Sequence, residues 1–167
     1  MLSLIIISGR SGSGKSTSLN VLEDSGYFCI DNLPVTLLTP LIKKLNEDDK
    51  IDKAAVSIDA RNIPKDLALF PSFWDKFNKS NVSPLIIFLD STSETLVKRF
   101  SETRRKHPLS NKERDLKEAL DLESSLLDPI SELAALTIDT TNLTVHDLRN
   151  SIKTRVGGGN HSFALSF

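Results

Sequence analysis

The sequence has a single cysteine, Cys29, so no disulfide can close within the chain. Cys29 stands in an apolar stretch and reads as a small buried hydrophobe, not as a reactive thiol. That usage fits the cytoplasm, where thiols stay reduced. Long hydrophobic runs are missing. The purely apolar stretches last only a few residues, too short to cross a bilayer, so no membrane partner is expected. An apolar run begins almost at Met1, so no secretory leader is expected either. Charge of one sign is not in excess: the net charge is −1, which offers no global field to nucleic acid or membrane. The three histidines, His107, His146 and His161, are too scattered to share a metal. No Asn-Lys-x-Asp occurs; Asn78-Lys79-Ser80-Asn81 lacks the closing acid, so the guanine clamp of signalling GTPases is absent. There is no internal repeat and no low-complexity segment.

What is present is an ordinary globular composition. A chain of 167 residues, 39% hydrophobic and 26% charged, is long enough for one domain with a full core. Short apolar runs alternate with longer helical periodicities, which predicts βα units and a parallel sheet. Strands are expected over 2–8, 27–30, 54–58, 85–89 and 136–138. A helix is expected from Thr17 to Gly26. A second opens at Thr39-Pro40, read as N-cap and first-turn proline, with Leu41, Ile42 and Leu45 inward. Phe70, Phe73, Trp74 and Phe77 recur at helical spacing and read as core rather than as a base-stacking platform. Ser110-Asn-Lys-Glu113 reads as a capping box for a helix with Leu116, Ala119, Leu120, Leu126 and Leu127 on one side, which Pro129 ends or bends. Thr144-Val-His-Asp147 reads as a similar box, opening a last helix that buries Val145, Leu148, Ile152 and Val156. The domain is expected over 1–156, with a glycine-rich linker and tail over 157–167 leading toward a second domain that this chain lacks.

One stretch carries the chemistry. Gly9-Arg10-Ser11-Gly12-Ser13-Gly14-Lys15-Ser16 fits G-x-x-x-x-G-K-[ST], follows an apolar run (Leu4, Ile5, Ile6, Ile7) and precedes a helix, the context this motif requires. Glycines let the loop wrap closely around phosphate oxygens. Successive amides then point inward, and the helix brings its positive end to the anion. Lys15 is expected to neutralise β/γ-phosphate charge and Ser16 to ligate Mg²⁺.

Four expected strands finish in aspartate: Asp31, Asp59, Asp90 and Asp139. Ligands of open parallel sheets sit beyond the carboxyl ends of the strands, so some of these acids should face the phosphates. In a kinase-like sheet ordered 2-3-1-4-5, strand 3 adjoins strand 1, which makes Asp59 the first candidate to hold Mg²⁺, directly or through water. Asp31 is a second acid or a general base toward an acceptor hydroxyl. Asp90 ends the most Walker-B-like run and is a further candidate. Each has a plainer reading as a helix cap or turn former, favoured for Asp139. After Asp59 come Ala60, Arg61, whose planar fork suits phosphate, and Asn62, which suits a base contact or a turn cap. Lys98, Arg99, Arg104, Arg105 and Lys106 form a basic run that reads either as a lid closing on phosphate or as a solvated face. An RNA-backbone patch is a weaker reading, since exposed aromatics are not interleaved. His107 reads as a turn residue.

These segments together, with Asp31-Asn-Leu-Pro34, Ser57-Ile-Asp-Ala-Arg-Asn62, Phe88-Leu-Asp90, Thr103-Arg-Arg-Lys-His-Pro-Leu109 and Ile138-Asp-Thr140, resemble the RapZ-type nucleotide-binding proteins, the bacterial RNase adapter family. The resemblance runs over nearly the whole chain. It implies a P-loop kinase-like amino-terminal domain with slow ATPase and GTPase activity. ATP would lie on residues 9–16 and GTP on residues 59–62. It also implies a homo-oligomer that presents a small regulatory RNA to an endoribonuclease and so sets amino-sugar synthesis, with sugar-phosphate sensing and much of the RNA binding in a carboxy-terminal domain. Two readings from residue chemistry stand beside it: a small-molecule kinase, and a P-loop kept only as scaffold.

Overall fold

The computed structural model describes residues 2–77, 82–103, 106–110 and 115–157. Its centre is β1 (Leu2–Gly9), flanked by β3 (Lys53–Ser57) and β4 (Val82–Asp90); β2 (Phe28–Ile30) and β5 (Leu136–Asp139) lie at the edges. All pairings are parallel and the order is β2-β3-β1-β4-β5, the order expected from the motifs. The helices are α1 (Lys15–Asp24), α2 (Leu38–Asn46), α3 (Pro64–Ala68), α4 (Phe70–Phe77), α5 (Ser93–Thr103), α6 (Leu116–Ser131) and α7 (Val145–Gly157).

The alternation of side chains along β1 divides the interior in two. Leu2, Leu4 and Ile6 point to one face and pack with Leu38, Ile42, Leu67, Phe70, Leu127 and Ile130 from α2, α3, α4 and α6. Ile5 and Ile7 point to the other and pack with Leu19, Val21 and Leu22 of α1 and Leu148 and Ile152 of α7. A strand apolar on both faces belongs inside a sheet covered by helices on both sides, which is where β1 sits. A smaller cluster of Leu96, Phe100 and Leu120 joins α5 to α6.

Local chemistry shifts several expected boundaries. Thr39-Pro40 does not open α2. A 3-10 turn at Val35–Leu37 precedes the helix, so Thr39 and Pro40 already lie in its first turn. The turn is set from outside: the Val35 amide donates to Asn62 Oδ1 at 2.8 Å and the Leu37 amide to the Pro34 carbonyl at 2.9 Å. The cap of α6 is Asp115, whose carboxylate accepts from the Glu118 amide at 2.8 Å. Ser110, expected to cap it, instead donates its hydroxyl to the His107 carbonyl. The rest of that expected box, 111–113, lies outside the described residues. Pro129 stands within α6, which continues to Ser131. The box at Thr144 and Asp147 forms as expected, each amide taken by the other's side chain at 3.0 and 3.1 Å. Leu148 and Ile152 are buried behind it and Val156 partly so, but Val145 is 65% exposed, because the first residue of the helix turns away from the sheet. Phe70 is fully buried and Phe73 and Trp74 pack against the core; the side chain of Phe77, residues 78–81 and the tail at 158–167 lie outside the described residues. Cys29 is half-buried, and burial pushes its thiol up to about 11, in keeping with an inert side chain.

Asn62 ties the exit of β3 to the start of α2. Besides taking the Val35 amide, its Nδ2 donates to the carbonyls of Leu33 (3.2 Å) and Asp59 (3.3 Å), all in a buried setting. Asn62→Ala orphans a buried amide and is expected to lose about 2 kcal/mol of stability. Urea unfolding followed by circular dichroism checks this: the midpoint should fall at constant slope, and an unchanged midpoint would remove Asn62 from this role.

Candidate functional site

Between β1 and the first turn of α1, the carbonyls of Gly9, Arg10, Gly12, Ser13 and Gly14 are bonded while four amides are left open. Lys15 Nζ donates to the carbonyls of Gly9 (2.8 Å) and Arg10 (3.2 Å). The Gly12 carbonyl accepts from Arg99 Nη1 at 2.9 Å, that of Ser13 from Thr140 Oγ1 at 2.9 Å, and that of Gly14 from the Ser18 amide and hydroxyl. The amides of Gly12, Gly14, Lys15 and Ser16 make no hydrogen bond among the described residues. Four donors at a helix start, with the nearby acceptors turned outward, form a nest for an anion. Two glycines permit the shape. A Cβ on Gly9 would stand 2.3 Å from the Leu89 carbonyl oxygen, and Gly14, at φ +114°, would drive one to 2.4 Å from Leu148 Cδ2. Ser13 Oγ is buried without a hydrogen-bond partner among the described residues, an orphaned donor within the loop.

Beyond the loop, on the side of β3 and β2, a cleft of about 450 Å³ is lined by Ser11, Lys15, Ser16, Asp31, Asp59 and Arg61, with Arg99, Phe100 and Lys106 opposite. Asp59 is buried at the end of β3 and grips Arg61, Oδ2 to Nη2 at 2.6 Å. Burial pushes the Asp59 carboxyl up. The Arg61 hydrogen bonds and the Lys15 charge outweigh that and hold it below the usual carboxylate range. Asp31 accepts from the Ser57 hydroxyl, whose oxygen takes the Asn32 amide at 2.7 Å. Burial lowers the Lys15 ammonium from its ordinary value, with Glu123 and Asp59 pulling the other way.

The structure brings Lys15, Ser16, Asp31, Asp59 and Arg61 together around one cleft; the strand order points to Asp59 beside Ser16. Ala60 and Asn62 lie behind them, buried, and the Asn62 amide is occupied in the turn already described. Asp90 is placed elsewhere. It takes Arg10 Nε and Nη2 on Oδ1 at 3.3 and 3.2 Å and caps the Ser91 amide, while Arg10 also reaches Ser93 Oγ and the Ser91 carbonyl. Arg10 therefore braces the exit of β4 and turns away from the nest. Asp139 takes the Thr141 amide and hydroxyl, the turn role favoured for it. Of the basic run, Arg99 is fastened to Gly12 and to Thr140, and Lys106 lines the cleft; Arg104 and Arg105 lie outside the described residues.

Two residues of the site carry no signal in the motif. Glu123 of α6 is 0% exposed and accepts from the Ser11 amide (2.8 Å), the Ser11 hydroxyl (2.7 Å) and His107 Nε2 (2.9 Å). Burial pushes its carboxyl up, but the His107 and Ser11 hydrogen bonds bring it below the usual range, so it is ionised. The sequence does hold a trace of it: a carboxylate three residues past Leu120 and four before Leu127, on the apolar stripe of its helix. Thr140, which ties the Ser13 carbonyl to that of Asp90, is the other. A second cleft of about 270 Å³ opens on the far side of the loop, between Gly12, Ser16 and Arg99 and the residues Leu143, Val145 and Leu148.

Comparison with known proteins agrees with this geometry. The chain is 54% identical over 159 residues to a nucleotide-binding protein of Hahella chejuensis (strain KCTC 2396), covering 94% of this chain and 56% of that one. It is 54% identical over 155 residues to one of Pseudomonas putida (strain GB-1), covering 92% and 55%. The chain spans about half the length of these relatives. In three dimensions it is similar to a gluconokinase from Sinorhizobium meliloti 1021 (TM-score 0.57, 19% identity, 99% of this chain and 98% of that one). It is also similar to a shikimate kinase from Acinetobacter baumannii in complex with shikimate (TM-score 0.59, 18% identity, 96% of each). At such identities the likeness is one of fold, that of P-loop kinases. No helix among the described residues is long and apolar enough to cross a membrane. Residues 2–160 match the RapZ-like N-terminal domain, and the chain belongs to that family.

Proposed function

We propose that this chain binds ATP or GTP on the β1–α1 loop and hydrolyses it slowly, as the nucleotide module of a cytoplasmic RNase adapter. The observation that carries the reading is the set of unpaired amides at Gly12, Gly14, Lys15 and Ser16, held open by carbonyls bonded elsewhere. These amides hold the β-phosphate. Lys15 releases the Gly9 and Arg10 carbonyls and turns to the γ-phosphate, where its charge offsets the charge of the transferring group. Arg61, with one edge on Asp59, offers its remaining donors to the same end, and Arg104 and Arg105 follow α5 as lid residues.

The donor set fits Mg²⁺. Ser16, Asp59 and Asp31 present hard oxygens around the cleft. Among the described residues no group of three or more His, Cys, Asp or Glu is arranged to hold a metal, so the ion would arrive with the phosphates. Ser16 would hold it directly and Asp59 through water, and it would supply charge neutralisation at the β/γ bridge. GTP is read onto the same cleft through Asp59 and Arg61. The endoribonuclease, the small RNA and the homo-oligomer enter this reading through the family resemblance, for proteins of the relatives' full length. One observation favours a second reading, phosphoryl transfer to a small hydroxylated acceptor: the cleft continues past Lys15 to the exposed carboxylate of Asp31, positioned as a base.

Lys15→Ala is expected to abolish hydrolysis while circular dichroism and melting stay those of the parent; a variant that still turns over ATP at the parent rate removes Lys15 from the site. Asp59→Asn should weaken Mg²⁺-dependent nucleotide binding by about tenfold, and Asp90→Asn should do so much less, as read by titration calorimetry with and without EDTA. The reverse order would move the metal role to Asp90. Radiolabelled γ-phosphate offered to a panel of sugars and nucleosides separates the two readings: label in inorganic phosphate alone supports hydrolysis, label in an acceptor supports transfer.

A further inference from the structure

Glu123 and His107 form a buried pair that no phosphate-binding motif calls for, and the donors around them are of one kind. The Leu109 amide donates to His107 Nδ1 at 3.0 Å, which places the ring proton on Nε2, and Nε2 then donates to Glu123 Oε1. The Ser11 amide donates to the same oxygen and the Ser11 hydroxyl to Oε2. Three donors converge on one carboxylate. The Ser11 hydroxyl has a single proton and it is committed to Glu123. Toward the cleft that Ser11 lines, its oxygen therefore offers only lone pairs.

We infer that Glu123 is a positioning residue that fixes Ser11 as a hydrogen-bond acceptor for the attacking water, with His107 fixing Glu123 in turn. The inference rests on the hydrolytic reading above. In the reaction the water oxygen bonds to the γ-phosphorus, and the bond from that phosphorus to the β–γ bridging oxygen breaks. The nucleoside diphosphate leaves with the electron pair and the water protons end on inorganic phosphate and solvent. Ser11 takes no proton; it orients one O–H of the water so that a lone pair faces phosphorus. Glu123 also places a negative charge under an anion site, which weakens phosphate binding relative to a neutral group.

Glu123→Gln isolates the effect. The glutamine oxygen keeps the Ser11 amide and His107, and its NH₂ takes the place of Oε2 and donates to Ser11 Oγ. The bond survives with its direction reversed, and the serine proton turns toward the cleft. The expected result is a melting temperature near that of the parent, nucleotide Kd within about threefold of the parent or tighter, and kcat lowered about tenfold or more. Ser11→Ala should lower kcat to a similar degree, and the double variant should be no slower than either single one. Parent-like kcat in Glu123→Gln, a fall in binding that tracks the fall in rate, or additive losses would each overturn the inference. The ¹⁵N resonances of His107 supply a test that needs no turnover: a proton on Nδ1 would overturn it. A parent chain that neither binds nor hydrolyses nucleotide would instead sink the hydrolytic reading, with the histidine resonances still deciding the geometry.

Discussion

The arrangement at the carboxyl edge of the sheet depends on a single constraint: the loop after β1 has the Gly12 and Ser13 carbonyls and the Ser11 amide held by distant elements. Arg99 of α5 takes Gly12, Thr140 after β5 takes Ser13, and Glu123 of α6 takes the Ser11 amide. Each tether comes from a different element, so the loop is the point where α5, α6 and the end of β5 are registered against β1. A phosphate-binding turn must face its amides inward with no ligand to organise them. Here the protein supplies that order itself, and the small cluster of Leu96, Phe100 and Leu120 keeps the two tethering helices in step.

The same logic explains which acids serve the site. β3 and β4 both adjoin β1; β4 ends in Asp90, and Asp59 follows β3 by two residues. They part company because of Arg10. This side chain leaves the loop toward β4 and occupies Asp90 and the Ser91 carbonyl, so that acid becomes a brace. On the β3 side, among the described residues the Asp59 carboxylate is held by the guanidinium and amide of Arg61, and it remains at the wall of the cleft with Asp31. Burial lowers the Lys15 ammonium, the charges of Glu123, Asp59 and Asp31 raise it, and the Arg61 charge opposes them.

Much of this was legible in the residues. The strand order, the two-sided core and the placement of Lys15, Ser16, Asp31 and Asp59 follow from period, motif and the rule that ligands sit beyond strand ends, because these depend on contacts that a local pattern encodes. Asn62 suits a base contact or a turn by residue type, and in the structure it is buried in the turn. The start of α2 was not legible, since the group that sets it, the Asn62 side chain, lies 27 positions away. The cap of α6 is not the expected Ser110, because the His107 carbonyl of the preceding turn takes the serine hydroxyl and Asp115 caps instead. Val145 fell on the apolar period of its helix but at its first position, where the chain has not yet turned inward. Glu123 was hidden for a different reason. A lone carboxylate on an apolar stripe names no partner, and its partner Ser11 is 112 residues distant.

Because Gly12, Ser16 and Arg99 border both clefts, the loop is a watershed as well as a floor. The basin on one side has the apolar wall of Leu143, Val145 and Leu148; the other has the acidic and basic wall of Asp31, Asp59 and Arg61. The two rims of the same loop thus differ in polarity, with the Arg99 guanidinium, fastened to Gly12 and Thr140, at their shared border.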